Sequence, residues 1–160
     1  MHIIYYCYGG THSSPVAAAI HTGLLPNGRT PTKEEILELP WFDRVTAAER
    51  GRLFFVGRDE AGHFIYICGR GREKQAIKQA IISGFVLCGE RPEELLFVDT
   101  MPAVNWIMRL GGYLSRRLGL VAVGRPLAAL GAQLAVPRLR QIVQQVRDKL
   151  NQFTGSAPPR

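Results

Sequence analysis

The chain has 160 residues, 46% hydrophobic and 21% charged, enough to bury an ordinary core without disulfide or metal staples. No run of eighteen apolar residues occurs, so no membrane span is expected, and the first residues read as a strand rather than a signal segment. The net charge of +7 is uneven: residues 101–160 hold nine Lys or Arg against one acid, Asp148, which makes that part +8 and the first hundred residues −1. A basic half of this kind attracts nucleic acid, anionic lipid or phosphorylated ligands. With no nucleic-acid motif beside it, a solvated helix surface is the simpler reading and nucleic acid is not the favoured partner.

In chain order, "HIIYYC" (2–7) is apolar throughout and predicts a strand covered on both faces. "SPVAAAIHTGLL" predicts a helix with Ser14 as cap and Pro15 in the first position. "TKEEILEL" predicts a short helix opened by a capping box, Thr32 with Glu35, and stopped at Pro40. "RLFFVG" and "HFIYICG" flank "RDEAG" and predict a hairpin. "REKQAIKQAIISGFVLCG" predicts a helix whose apolar second half packs deeply. "ELLFVDT" predicts a strand, and "AVNWIMRLGGYLSRRLG" a helix in which Gly111-Gly112 marks close packing or a kink. "LVAVG" reads as a last short strand, "RPLAALGAQLAV" stays open between helix and irregular chain, and a helix is predicted from Pro137 through Phe153. Residues 154–160 are expected to be a disordered tail.

Strands alternating with helices predict one α/β domain over residues 1–153. It should be a three-layer sandwich with a mostly parallel central sheet, a β-hairpin, and helices on both faces. Cys7, Cys68 and Cys88 have no metal spacing and leave one thiol unpaired, which suits a reducing, cytoplasmic setting. Cys68 and Cys88 read as core residues. No metal site is expected from the spacing of His, Cys, Asp and Glu.

The stretch "CYGGTHSSPVAAAI" carries the functional reading. In a parallel sheet, ligands bind beyond the carboxyl ends of strands, where loops lead into helix N-termini. Gly9 and Gly10 permit close backbone approach, the amides of Thr11, His12, Ser13 and Ser14 can form a nest, and the hydroxyls add donors. A phosphate or other oxyanion is the expected guest, held over Cys7 as a candidate nucleophile. The alternative is a tight turn, a helix cap and a small buried cysteine.

These residues resemble the phosphate loop of low-molecular-weight tyrosine phosphatases and arsenate reductases, which runs from a cysteine nucleophile through glycine to Arg-Ser-Pro. The resemblance matches Cys7 to the nucleophile, Gly9 to the loop glycine, Ser14 to the supporting serine and Pro15 to the proline. Ser13 stands where that family has arginine, and a hydroxyl does not replace a guanidinium fork. The loop is also similar to that of cysteine-phosphorylated sugar-transport IIB proteins, which use hydroxyl residues there. Over most of its length, through "YCYGGTHSSPVAAAIHTGLLP", "VDTMP" and "RLGGYLSRRLGLVAVGRP", the chain resembles an uncharacterised family of Gram-positive, often spore-forming bacteria, which implies no activity.

Asp99, ending "LLFVD", is a candidate general acid beside Cys7 or a helix cap. His12 either meets the anion or makes a structural hydrogen bond, and His21 reads as a surface residue. Arg125, after "LVAVG", is a candidate for the missing guanidinium, and Arg70 and Arg72 carry the same ambiguity. Two functions follow: a cysteine-dependent phosphoryl-transfer or hydrolytic enzyme on a small anionic substrate, or a non-catalytic anion- or nucleotide-binding regulatory protein. A basic nucleic-acid-associated protein is a third. No cofactor is specified.

Overall fold

The run "HIIYYC" is apolar on every residue but the first because it lies inside the sheet. The computed structural model describes residues 1–155. It places this run as β1 (His2–Cys7) in a four-stranded sheet ordered β2–β3–β1–β4. β2 (Leu53–Arg58) and β3 (Phe64–Gly69) form the expected antiparallel hairpin, with a bulge between Phe55 and Gly57. β3 and β4 (Leu95–Asp99) both run parallel to β1, with Cys7 opposite Gly69 and Tyr6 opposite Asp99.

Alternation along the strands divides the core. Ile3, Tyr5, Ile65 and Ile67 face a layer built from α1 (Ser13–His21), α2 (Lys33–Glu38) and two later helices. Ile4, Tyr6 and Cys68 face the other way, toward Ile77 and Ile81 of α3 (Lys74–Leu87). Helices therefore cover both faces, and the fold is the expected α/β sandwich. The two later helices are α4 (Trp106–Arg116) and α5 (Val121–Gly155), which pack on each other as an antiparallel pair.

Glycine makes that pairing possible. A Cβ on Gly111 would lie 2.2 Å from the Ala128 nitrogen, one on Gly124 2.3 Å from the Ser115 nitrogen, and one on Gly131 2.3 Å from the Met108 nitrogen. The helices touch backbone to backbone along this seam. It also explains a correction: "LVAVG" is not a strand. Val121 to Gly124 form the first turn of α5, because Gly124 is the small residue the seam requires there. The ambiguous segment after it is helical too, and α5 continues through Pro126 and Pro137.

Local chemistry accounts for other ends. The capping box at α2 is present: Glu35 donates its amide to Thr32 Oγ1 at 3.2 Å, and Thr32 donates its own to Glu35 Oε2 at 2.8 Å. α4 is capped by Asn105, whose Oδ1 accepts the Met108 amide at 2.8 Å. α1 begins two residues earlier than expected, at Ser13 rather than Pro15, with His12 in the cap position and no side-chain cap bond. The deep packing expected for α3 is not found: none of its residues is buried, and Leu87 is 88% exposed. Cys88 is exposed as well, whereas Cys68 is in the core, where burial pushes its thiol up to about 11. Of the tail expected at 154–160, Thr154 and Gly155 end α5, and 156–160 lie outside the described residues.

Candidate functional site

The loop between β1 and α1 sits where the chain changes direction across the sheet. β1 leads to α1 on one face, its neighbour β3 leads to α3 on the other, and the two outgoing loops meet between them. Two glycines set how closely they meet. Gly10 has a φ of 70°, and a Cβ on it would fall 2.4 Å from the Gly69 nitrogen. A Cβ on Gly69 would fall 2.6 Å from the Gly9 carbonyl oxygen. Each surface needs the other to lack a side chain. Strand-like pairing continues past the sheet, with Arg70 donating its amide to Cys7 O at 3.0 Å and Gly71 to Tyr8 O at 2.9 Å.

Within this frame the chain curls around a sulfur. Cys7 Sγ accepts the Gly10 amide at 3.1 Å and lies 3.3 Å from Ser14 Oγ, a pair in which either group can donate. Cys7 and Ser14 are both buried. Ser14, expected to cap α1, thus turns its hydroxyl to the sulfur. Among the described residues, the amides of Gly9, Thr11, His12, Ser13 and Ser14 donate to no protein acceptor. Two of these open α1, where the helix supplies no partner; the others precede it.

The side chains of Thr11, His12 and Ser13 have partners outside the loop. Thr100 donates its hydroxyl to Tyr6 O at 3.1 Å and accepts from Ser13 Oγ at 2.8 Å, so Ser13 is tied to the end of β4. Thr11 Oγ1 donates to Trp41 O at 3.3 Å, while Thr11 O accepts the Asp43 amide at 2.8 Å. His12 Nε2 pairs with Asp43 Oδ1 at 2.9 Å, and the His12 ring rests on Gly112, where a Cβ would come within 2.7 Å of Cε1. Of the adjacent glycines in α4, one therefore admits α5 and the other admits His12.

Asp43 is the residue that sequence reasoning missed. It is buried, and among the described residues it is the non-glycine residue with positive φ, at 55°. Ser115 donates its hydroxyl to Asp43 Oδ2, and Arg116 donates to the carbonyls of Asp43 and Val45 at 3.1 and 3.0 Å. Burial disfavours the charge on Asp43, but the hydrogen bonds from His12 and Ser115, with the Arg116 guanidinium nearby, hold its carboxyl below the ordinary range. An acid set inside the apolar "WFDRV" was the only sign in the sequence.

Asp99 and Arg125 have other partners. Asp99 is in register with Tyr6, on the α3 face, while Cys7 continues the alternation onto the α1 face. Asp99 Oδ2 accepts from Lys74 Nζ at 2.9 Å and Oδ1 from the Met101 amide at 3.0 Å. Arg125 Nη2 donates to Leu37 O at 2.8 Å, fastening α5 to α2. The basic groups that border the loop are Arg50, 5.0 Å from the Tyr8 ring centre, and Arg70, whose Nη1 donates to Gly71 O while its buried Nε has no partner.

At the other end of α1, His21 is buried rather than exposed. Its Nδ1 meets Tyr5 Oη at 2.9 Å, and its Nε2 lies 3.3 Å from Asp59 Oδ2, off a hydrogen-bonding angle. Burial lowers His21 to about 4 against the opposing pull of Asp59, which is shared with His63 at 2.9 Å. Separately, His2, Glu90 and Glu94 bring ligand-type atoms within 4.8 Å of one another, a grouping hidden by their distance along the chain; Arg91 already pairs with Glu94.

Fold and loop together define an α/β protein with a cysteine-centred loop at a switch point of its sheet. The chain belongs to the family described as Protein of unknown function (DUF3189), whose model matches residues 2–148, from β1 through most of α5. Comparison with curated proteins and with solved structures gives no match. Among the described residues, no helix is long and apolar enough to cross a membrane.

Proposed function

We propose that the loop from Cys7 to Ser14 binds a small oxyanion, phosphate or the phosphoryl group of a small ligand, and that the protein acts as a binding or regulatory module. One observation carries this reading: five consecutive-zone amides, Gly9 and Thr11 to Ser14, have no acceptor of their own in a tightly wound loop that leads into a helix N-terminus. Thr11, Ser13 and Ser14 are buried residues; buried amides need partners, and an anion supplies several at once. Arg50 and Arg70 at the border add favourable charge.

A catalytic reading draws on the two contacts to Cys7 Sγ, which hold the sulfur at the base of the loop. It lacks two parts: Ser13 occupies the position of the guanidinium and is bound to Thr100, and Asp99 is committed to Lys74. Binding without turnover therefore stands first.

The test is a titration of the ¹⁵N-labelled protein with inorganic phosphate, following amide resonances. Saturable shifts concentrated at Gly9 and Thr11 to Ser14 are expected. A folded protein whose loop amides do not move, at any phosphate concentration that leaves other residues unperturbed, rules the reading out. Release of phosphate from a generic aryl phosphate, abolished by Cys7→Ser, would instead promote the catalytic reading.

A further inference from the structure

The α4–α5 pair buries Met108, Val136, Leu139 and Val143 in the core but leaves a second set of large apolar residues on its outside. The seam uses Gly111 on α4 with Gly124, Ala128 and Gly131 on α5, and Ala135 continues the spacing as a buried residue. The residue just before each seam position is apolar and large: Leu110, Val123, Leu127, Leu130 and Leu134. One residue back turns about 100° around a helix. In an antiparallel pair the two-fold axis perpendicular to both helices carries that turn to the same side, so the stripes of α4 and α5 merge. Trp106, 71% exposed, extends the surface at the start of α4, and Leu110, Val123 and Leu134 are exposed as well. Such a surface exceeds the isolated apolar residues normal on a protein exterior.

Charge on this surface has one sign. Residues 100–147 contain seven arginines and no acid. Arg116, Arg125, Arg140 and Arg147 spend their guanidinium groups on carbonyls of the fold, of Asp43, Leu37, Pro26 and His21 among others. Arg109, Arg117 and Arg138 are exposed, and among the described residues their guanidinium groups have neither a hydrogen bond nor an ion pair. Arg109 lies on α4, Arg117 just past its end and Arg138 on α5. Asp43 is buried beneath Ser115, and Glu34 and Glu38 border the helices where Val121 and Arg125 meet α2.

We infer that this two-helix face docks on an anionic membrane surface, with Trp106 and the leucine–valine stripe entering the interface and Arg109, Arg117 and Arg138 meeting lipid phosphates. Tryptophan, aliphatic side chains and unpaired arginines on one face are the composition of an interfacial helix. A second copy of the chain would oppose the same three charges to themselves. The inference is independent of the anion loop.

The experiment is co-sedimentation of the full chain with large vesicles of phosphatidylcholine alone or with phosphatidylglycerol, at low and high salt, alongside size-exclusion chromatography with light scattering. Binding to the phosphatidylglycerol vesicles at least about tenfold above phosphatidylcholine, falling as salt rises, is expected. Trp106→Ala or Leu110→Ser should lower it about tenfold. Each of Arg109→Gln, Arg117→Gln and Arg138→Gln should lower it about fivefold. All are exposed positions, so the folded state survives, which circular dichroism verifies. No vesicle binding, equal binding to both lipids, or a dimer abolished by Trp106→Ala overturns the inference.

Discussion

On one side of the sheet, Ile3, Tyr5, Ile65 and Ile67 disappear beneath four helices; on the other, Ile4, Tyr6 and Cys68 are roofed by α3 alone, no residue of which is buried. The difference follows from what the helices bring. α1 supplies "PVAAAI", all of it buried, and α4 and α5 supply glycines and alanines that let a second tier come to backbone contact. α3 offers Ile77 and Ile81 inward, and beyond them Lys74 and Lys78 reach over the Tyr6 and Phe97 rings. Equal apolar content thus yields unequal depth, because depth comes from neighbours stacked behind the first layer.

If depth decides the cost of a change, the largest effect should come from the seam. Gly124→Val forces atoms into the Ser115 backbone, and a loss above about 4 kcal/mol, seen as failure to give a cooperative urea transition, is expected. Next is the buried His21. Its folded pKa of about 4 lies below the unfolded value near 6.5, so the unfolded chain takes up the proton first. Stability is full above pH 6.5 and falls as pH drops toward 4, by about 3 kcal/mol if this group acts alone. Urea midpoints across that range check it, and His21→Gln should flatten the slope.

On the thin side, Ile77→Ala should cost only about 1–2 kcal/mol, since its side chain is half-buried. Leu87→Ser should stay within about 0.5 kcal/mol by the same denaturation assay. A cost for Ile77→Ala equal to that at the seam would break the comparison.

Much of this architecture was legible in the residues. β1, the hairpin, β4 and the α2 capping box all follow from local pattern, because strand alternation and capping act within a few residues. "LVAVG" misled because its branched residues favour a strand in isolation, while the deciding contact, Gly124 on Ser115, lies outside the segment. α3 misled in the opposite direction: apolar content does not reveal whether a second tier stands behind it. At the site, Cys7, the two glycines and the hydroxyls were readable as a group. Asp43 was not, since its role depends on His12, Ser115 and Arg116 arriving from both directions along the chain. The pairing of Asp99 with Lys74 depends on strand register, which a sequence does not print.

The reciprocal contact of Gly10 with Gly69 has one more implication. Residues 7–14 do not own their shape; it is cast against a strand end nearly sixty positions downstream. A nascent or truncated chain that lacks β3 has every residue of this loop yet no mould for it, so the loop takes its form only once the hairpin has docked. The anion proposed for it would therefore bind the assembled sheet and not the isolated segment.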